Sequence, residues 1–223
     1  MAKKTGYITE YSDIFYTFAQ DYKRFLMKYI KTEIEGVYIL EPKVFEDARG
    51  YFFEAFKSSD FKNNVGDIEF IQDNESKSSR GVLRGLHYQR GAYSQAKLVR
   101  VIKGRVLDVA VDLRRSSATF GKHVMVELSD ENKRQFFIPR GFAHGFLVLS
   151  DEAEFCYKVS DFWHPNDEGG LAWNDPAIGI DWHVRGEYRG SASADGCTLA
   201  DGTPLNLSEK DQQWLGLKDT FKF

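Results

Sequence analysis

Four side chains carry most of the chemistry open to this sequence: His87, the cations Arg84 and Lys97, and a second imidazole, His144. They stand in Arg84-Gly-Leu-His87-Tyr-Gln89, at Lys97, and in Pro139-Arg-Gly-Phe-Ala-His144. A base set among fixed positive charges suits removal of a proton from a carbon next to a carbonyl on an anionic substrate. Tyr157, in Glu154-Phe-Cys-Tyr-Lys158, adds a phenol. With an ordinary pKa of about 10 it needs nearby cations to exchange protons near neutrality, and Arg84 and Lys97 can supply that field. Base, cations and phenol together are the parts of an enolisation site.

Each has a plainer reading. On a regular strand, residues 84 and 87 lie on opposite faces, so the cluster requires Gly85 to bend or bulge the strand. A lone histidine is more often a hydrogen-bonded structural residue, and Tyr157 fits a strand core equally well. Asp211 lies in Ser208-Glu-Lys-Asp211, where a carboxylate in a first helical turn supports the cap and the dipole. Its functional reading is to accept the second ring N–H of His87 and raise the imidazole's basicity. A metal is the next rival, because Pro-x-Gly-x-x-His in a β-rich chain resembles the cupin superfamily. Metal-binding cupins use His-x-His and a following Glu, whereas here Tyr88 and Gln89 follow His87 and no Glu occurs before Gly104. The expectation is a barrel without metal or cofactor.

The elements that must position these groups are mostly strands. At 223 residues with 42% hydrophobic and 28% charged positions, the chain can bury one substantial core. A net charge of −3 gives no reason to expect nucleic-acid binding, and no stretch is apolar enough to span a membrane. Met-Ala-Lys-Lys is followed by no apolar run, so it does not read as a secretory signal. Cys156 and Cys197 form neither a disulfide framework nor a metal-ligand spacing, which points to a reducing cytoplasm.

Residues 1–32 are predicted to form a helical extension. Tyr11, Phe15, Phe18, Tyr22, Phe25 and Tyr29 share one face of a helix starting near Thr9 or Ser12. From Val37 the period becomes two, and residues 33–223 read as one all-β domain, an antiparallel jelly-roll barrel. Its strands fall at 37–40, 51–56, 68–72, 81–87, 97–102, 106–113, 123–128, 134–138, 144–149 and 154–159. The Gly- and Ser-rich stretch 185–203 reads as a surface loop, and 208–215 as a short C-terminal helix.

The motifs together identify a resemblance. Glu41-Pro-Lys-Val-Phe-Glu-Asp-Ala-Arg-Gly-Tyr-Phe-Phe-Glu54, Gln72-Asp-Asn74, Val82-Leu-Arg-Gly-Leu-His-Tyr-Gln89, Lys97-Leu-Val-Arg100, Phe137 to Phe146, Tyr157-Lys158 and Trp173-Asn-Asp-Pro176 closely resemble the dTDP-4-dehydrorhamnose 3,5-epimerases. The match covers residues 33–182, with a shorter stretch at 207–212. The resemblance implies a cofactor-independent, metal-free isomerase acting on a nucleotide-diphosphate-linked 4-keto-6-deoxyhexose. It implies a homodimer whose N-terminal strands cross to the partner. His87 would be the base paired with Asp211, Tyr157 the acid on the opposite ring face, and Lys97 the stabiliser of the enolate oxygen. Arg84 and His144, with Gln72 and Asn74, would hold the sugar and diphosphate. Arg49 and Glu54 would reach the neighbouring site across the dimer, while Glu168 and Lys210 line the nucleotide end. Where the family shows paired tyrosines, this chain has Asp161-Phe-Trp-His-Pro165, which makes Trp163 the expected base stacker. The alternatives are a single-centre epimerase on a GDP- or CDP-linked keto-sugar and a non-catalytic sugar-binding cupin.

Overall fold

Period-two alternation of Val, Ile, Leu and Phe with polar residues builds almost everything that follows. The computed structural model describes residues 27–187 and 194–223. Among these, two antiparallel sheets dominate and helix is scarce. One sheet has the order β1-β2-β10-β7-β12-β5 and the other β13-β6-β11-β8-β9, with β3-β4 a separate hairpin.

The first sheet comprises β1 (Met27–Lys31), β2 (Tyr38–Pro42), β5 (Gln72–Ser79), β7 (Lys97–Lys103), β10 (Gln135–Ile138) and β12 (Glu152–Val159). The second comprises β6 (Leu83–Gln89), β8 (Arg105–Asp112), β9 (His123–Ser129), β11 (Phe142–Val148) and β13 (Glu168–Gly170). The hairpin is β3 (Phe45–Asp47) with β4 (Gly50–Phe52), and α1 (Ser58–Asn64) is a short helix. Val99, Val101, Phe136 and Phe155 from the first sheet meet Val106, Ala110, Phe146 and Val148 from the second in one buried cluster. That cluster lies between the sheets, with Tyr157 partly buried against it. Phe146 and Phe155 stack across the gap with ring centroids 4.2 Å apart.

The outer faces are covered too. On the first sheet, Phe61 of α1 packs on Leu40, Leu98 and Phe137. On the second, Trp173, Ile180, Trp182, Cys197 and Leu199 lie over Leu83, Leu86, Leu107 and Val109. No helix among the described residues is long and apolar enough to cross a membrane.

Four expectations need correction. The predicted N-terminal helix runs into Met27–Lys31, which is a strand paired with β2; Tyr29 sits edge-on to Phe61, so cross-strand pairing and contact with α1 override the helical spacing. The rest of that prediction lies outside the described residues. Residues 208–215 make turns rather than a helix, with Asp211 N–H and Gln212 N–H both donating to the Ser208 carbonyl. The stretch 185–203 is not all surface, since Ala194, Cys197 and Leu199 are buried against the second sheet. Finally, the strand expected at 68–72 lies at Gln72–Ser79. Its sequence, Gln-Asp-Asn-Glu-Ser-Lys-Ser-Ser, carries no apolar alternation because its inner face lines a polar site.

Candidate active site

A bulge in β6 brings the first two groups together. His144 lies opposite His87, and Phe146 lies opposite Arg84, so Gly85 and Leu86 of β6 stand against Gly145 alone. Opposed residues of antiparallel strands share a face, and 144 and 146 share theirs, so Arg84 and His87 both point between the sheets. Leu83 and Leu86 accordingly both reach the outer cluster. Gly85 makes this possible: its φ is +124°, and a Cβ there would meet the Gly145 Cα at 2.6 Å.

The first sheet supplies the facing wall. Tyr157 lies opposite Asn74 and Val99, and Val159 opposite Gln72 and Lys97. Since Val99, Val101 and Phe155 lie in the inter-sheet core with Tyr157 against it, Lys97, Gln72 and Asn74, which share their phase in the paired strands, take that same inner face. Gln72 Nε2 donates to Asn74 Oδ1 at 2.7 Å. Arg84 Nε donates to Ser78 Oγ at 3.0 Å, tying β6 to β5 across the mouth of the sheets.

Two imidazole–carboxylate pairs sit in this space. His87 Nε2 is 2.5 Å from Asp211 Oδ1. Asp211 is buried, and burial alone would push its carboxyl up. Hydrogen bonds from His87, the Gly85 N–H and the Trp214 indole outweigh that and hold it below the usual carboxylate range. An ionised Asp211 takes the Nε2 proton as acceptor, so the His87 lone pair is on Nδ1. The second pair joins His144 Nε2 to Asp108 Oδ1 at 2.9 Å. Burial pushes the imidazole of His144 down and the carboxyl of Asp108 up, and each partner opposes the other's shift.

Lys97 completes the cluster. Burial lowers its ammonium to about 8, against the attraction of Asp108 and Glu168. Burial raises the Tyr157 phenol, and the positive charge of Arg84 pulls it back. The second sheet thus presents an imidazole held by a carboxylate, and the first a phenol and an ammonium. A ketone lying between them can lose a proton on one side and gain one on the other.

The remaining expected residues divide. Lys210 pairs with Glu168 at 2.7 Å, and Glu168 lies near enough to act on the Lys97 ammonium, so those two come together with the cluster. Trp163 lies 58% exposed in the segment after β12. Arg49 and Glu54 are not brought to the site. Arg49 pairs with Asp47 on the β3–β4 hairpin, and Glu54 acts on Tyr29 at the outer face of the first sheet. Among the described residues no group of three His, Cys, Asp or Glu side chains is placed to hold a metal.

Asp108 is a site residue that sequence reasoning missed. It is the lone carboxylate on the inward phase of the otherwise apolar Val106-Leu-Asp-Val-Ala-Val111, and that isolation was the available signal. Trp214 was missed as well, and nothing in its local sequence marks it.

Comparison with known proteins bears on the same residues. Residues 31–219 match the family model for dTDP-4-dehydrorhamnose 3,5-epimerase. A protein of that name from Escherichia coli K12 is 58% identical over 157 residues, covering 70% of this chain and 85% of its own. One from Methanothermobacter thermautotrophicus is 50% identical over 192 residues, covering 86% and 95% respectively. Among solved structures, dTDP-6-deoxy-D-glucose-3,5-epimerase from Legionella pneumophila, in complex with dTDP-4-keto-L-rhamnose, superposes with a TM-score of 0.76. It is 45% identical and covers 86% of this chain and 94% of that one.

Proposed function

We propose that this chain, which belongs to the dTDP-4-dehydrorhamnose 3,5-epimerase family, inverts C3 and C5 of a dTDP-linked 4-keto-6-deoxyhexose on a cupin-like jelly-roll barrel spanning residues 33–223. The observation that carries the reading is the His87–Asp211 pair on one sheet facing Tyr157 and Lys97 on the other.

The C4 ketone acidifies the hydrogens on C3 and C5. His87 Nδ1 removes one of them as its Nε2–H stays on Asp211. The C–H electron pair moves into the ring and the ketone oxygen becomes an enolate, stabilised by the Lys97 ammonium. Tyr157 then donates its proton to the same carbon from the opposite face, the carbonyl re-forms, and the centre is inverted. His87 gives its proton to water and the phenolate takes one back, so no net hydrogen is gained or lost. Such acid–base groups contribute roughly 10²–10⁴-fold each. The rest comes from binding that orients the ring: Arg84 and His144, with Gln72 and Asn74, hold sugar and diphosphate. Trp163 stacks on the nucleobase, and Glu168 and Lys210 border the nucleotide end.

Arg49 and Glu54 serve a neighbouring site in a homodimer with exchanged N-terminal strands. The exposed aromatics Tyr51 and Phe52 beside them, 55% and 64% accessible, support a partner surface there. Free thiols at Cys156 and Cys197 support a reducing cytoplasm. The reading is tested by incubating the enzyme with dTDP-4-keto-6-deoxyglucose in heavy water. Deuterium at both C3 and C5 is expected; deuterium at neither refutes it, and at one alone reduces the activity to a single-centre epimerisation.

A further inference from the structure

The His87–Asp211 pair has a third member. Asp211 Oδ1, the oxygen that meets His87 Nε2, also accepts the indole N–H of Trp214 at 3.2 Å. The Trp214 ring stands edge-on to the His87 imidazole, with centroids 6.3 Å apart and planes at 77°. The indole reaches this place only because β13 offers it a bare backbone. Gly170 lies opposite His87 in the β13–β6 ladder, and a Cβ at Gly170 would come within 2.2 Å of the Trp214 ring. One side chain therefore touches the carboxylate, the base and the strand that flanks the base.

We propose that Trp214 is a positioning residue for proton abstraction, holding Asp211 and His87 in register through its N–H. The inference rests on His87 being the base of the proposed reaction. With Oδ1 engaged by the indole, the carboxylate cannot swing away from Nε2, and the orientation of the imidazole is set by two contacts rather than one. The indole N–H also draws charge from Asp211, which moderates the basicity that the carboxylate lends to His87. Other charged groups face this unit: Lys210, with Nζ 6.0 Å from the Trp214 ring centre; Glu168, its ion-pair partner; His144 across the β6–β11 ladder; and Arg84 on the same face. None of them donates to Asp211 Oδ1 among the hydrogen bonds of the described residues.

A packing role and a positioning role predict opposite rankings of variants. Trp214→Phe keeps an aromatic ring and loses the donor, whereas Trp214→Gln loses the ring and keeps an amide N–H of similar reach. Solvent exchange at C3 and C5 is followed against pH for the intact enzyme and both variants, with thermal melting measured in parallel. The expected result is that Trp214→Phe melts near the parent, loses about tenfold in exchange rate, and moves the acid limb of the profile to higher pH with KM little changed. Trp214→Gln keeps the limb in place. Should the phenylalanine variant not fold, Trp214→Leu, also donor-free, is judged by the same limb. A limb unmoved in the donor-free variants, or a rate that follows melting temperature with glutamine worst, overturns the proposal. Absence of exchange in the parent enzyme instead overturns the epimerase reading itself, so the two failures are distinguishable.

Discussion

Lys97 shows what happens to a single ammonium kept out of water. Its ammonium stands near 8 rather than the ordinary 10.5, because burial disfavours the charge more than Asp108 and Glu168 restore it. The sign follows from proton counting. Below about pH 8 the group is protonated whether the chain is folded or not. Between there and its unfolded value the unfolded chain binds more protons, so this residue makes folding stability rise with pH. The rise is on the order of 1–3 kcal/mol, the lower part because Lys97 keeps some contact with solvent. Urea unfolding of the parent and of Lys97→Met should therefore diverge in the parent's favour as pH climbs through that window, while catalysis falls. Parallel stability curves would show that the lysine is not desolvated. At this scale distinctive motifs were enough to single out His87, Lys97 and Tyr157, and the strand register puts all three on the inner faces of the sheets. Asp108 escaped because a carboxylate inside an apolar strand reads as an irregularity until His144 is seen beside it.

At the scale of elements, β6 is the decisive one. A regular strand would send Arg84 to the face opposite His87, and sequence alone could name Gly85 only as the place where alternation might fail. The register shows a bulge there: Gly85 and Leu86 face Gly145 alone, which turns Arg84 and His87 inward. Gly85→Ala should undo it. The φ of +124° disfavours any side chain, and the added methyl meets backbone at Gly145 and His144 with no flexible atom to yield. The expected loss is about 1–3 kcal/mol for the backbone conformation, with the steric cost in addition, seen as a lower urea midpoint. Since Arg84 and His87 both depend on the bulge, activity should fall further than stability does. A variant with parental midpoint and rate would contradict this account. β5 teaches the complementary lesson. Its Gln72, Asn74, Ser76 and Ser78 share the inner face, so hydrophobic alternation, the signal that located most other strands, is missing there.

For the whole molecule, the two antiparallel sheets and most strand positions were legible because the shared core imposes period two on both. The fate of residues 27–31 was not, since pairing with β2 and contact with α1 are long-range facts that local spacing does not carry. Nor can one copy of the chain place Arg49, whose side chain is 90% exposed on the hairpin. If a second copy completes the site, sedimentation should give a dimer. Phe52→Asp should then weaken the dimer and lower exchange together, and an active monomer would remove Arg49 and Glu54 from the site.

In the proposed reaction, protons leave through His87 on one sheet and return from Tyr157 on the other. Exchange and inversion should therefore separate in heavy water. His87→Ala should incorporate no deuterium at C3 or C5. Tyr157→Phe should still incorporate it, through return from the imidazole side, with the original configuration retained. Deuterium uptake by His87→Ala, or loss of uptake in Tyr157→Phe as complete as its loss of inversion, would contradict the assignment.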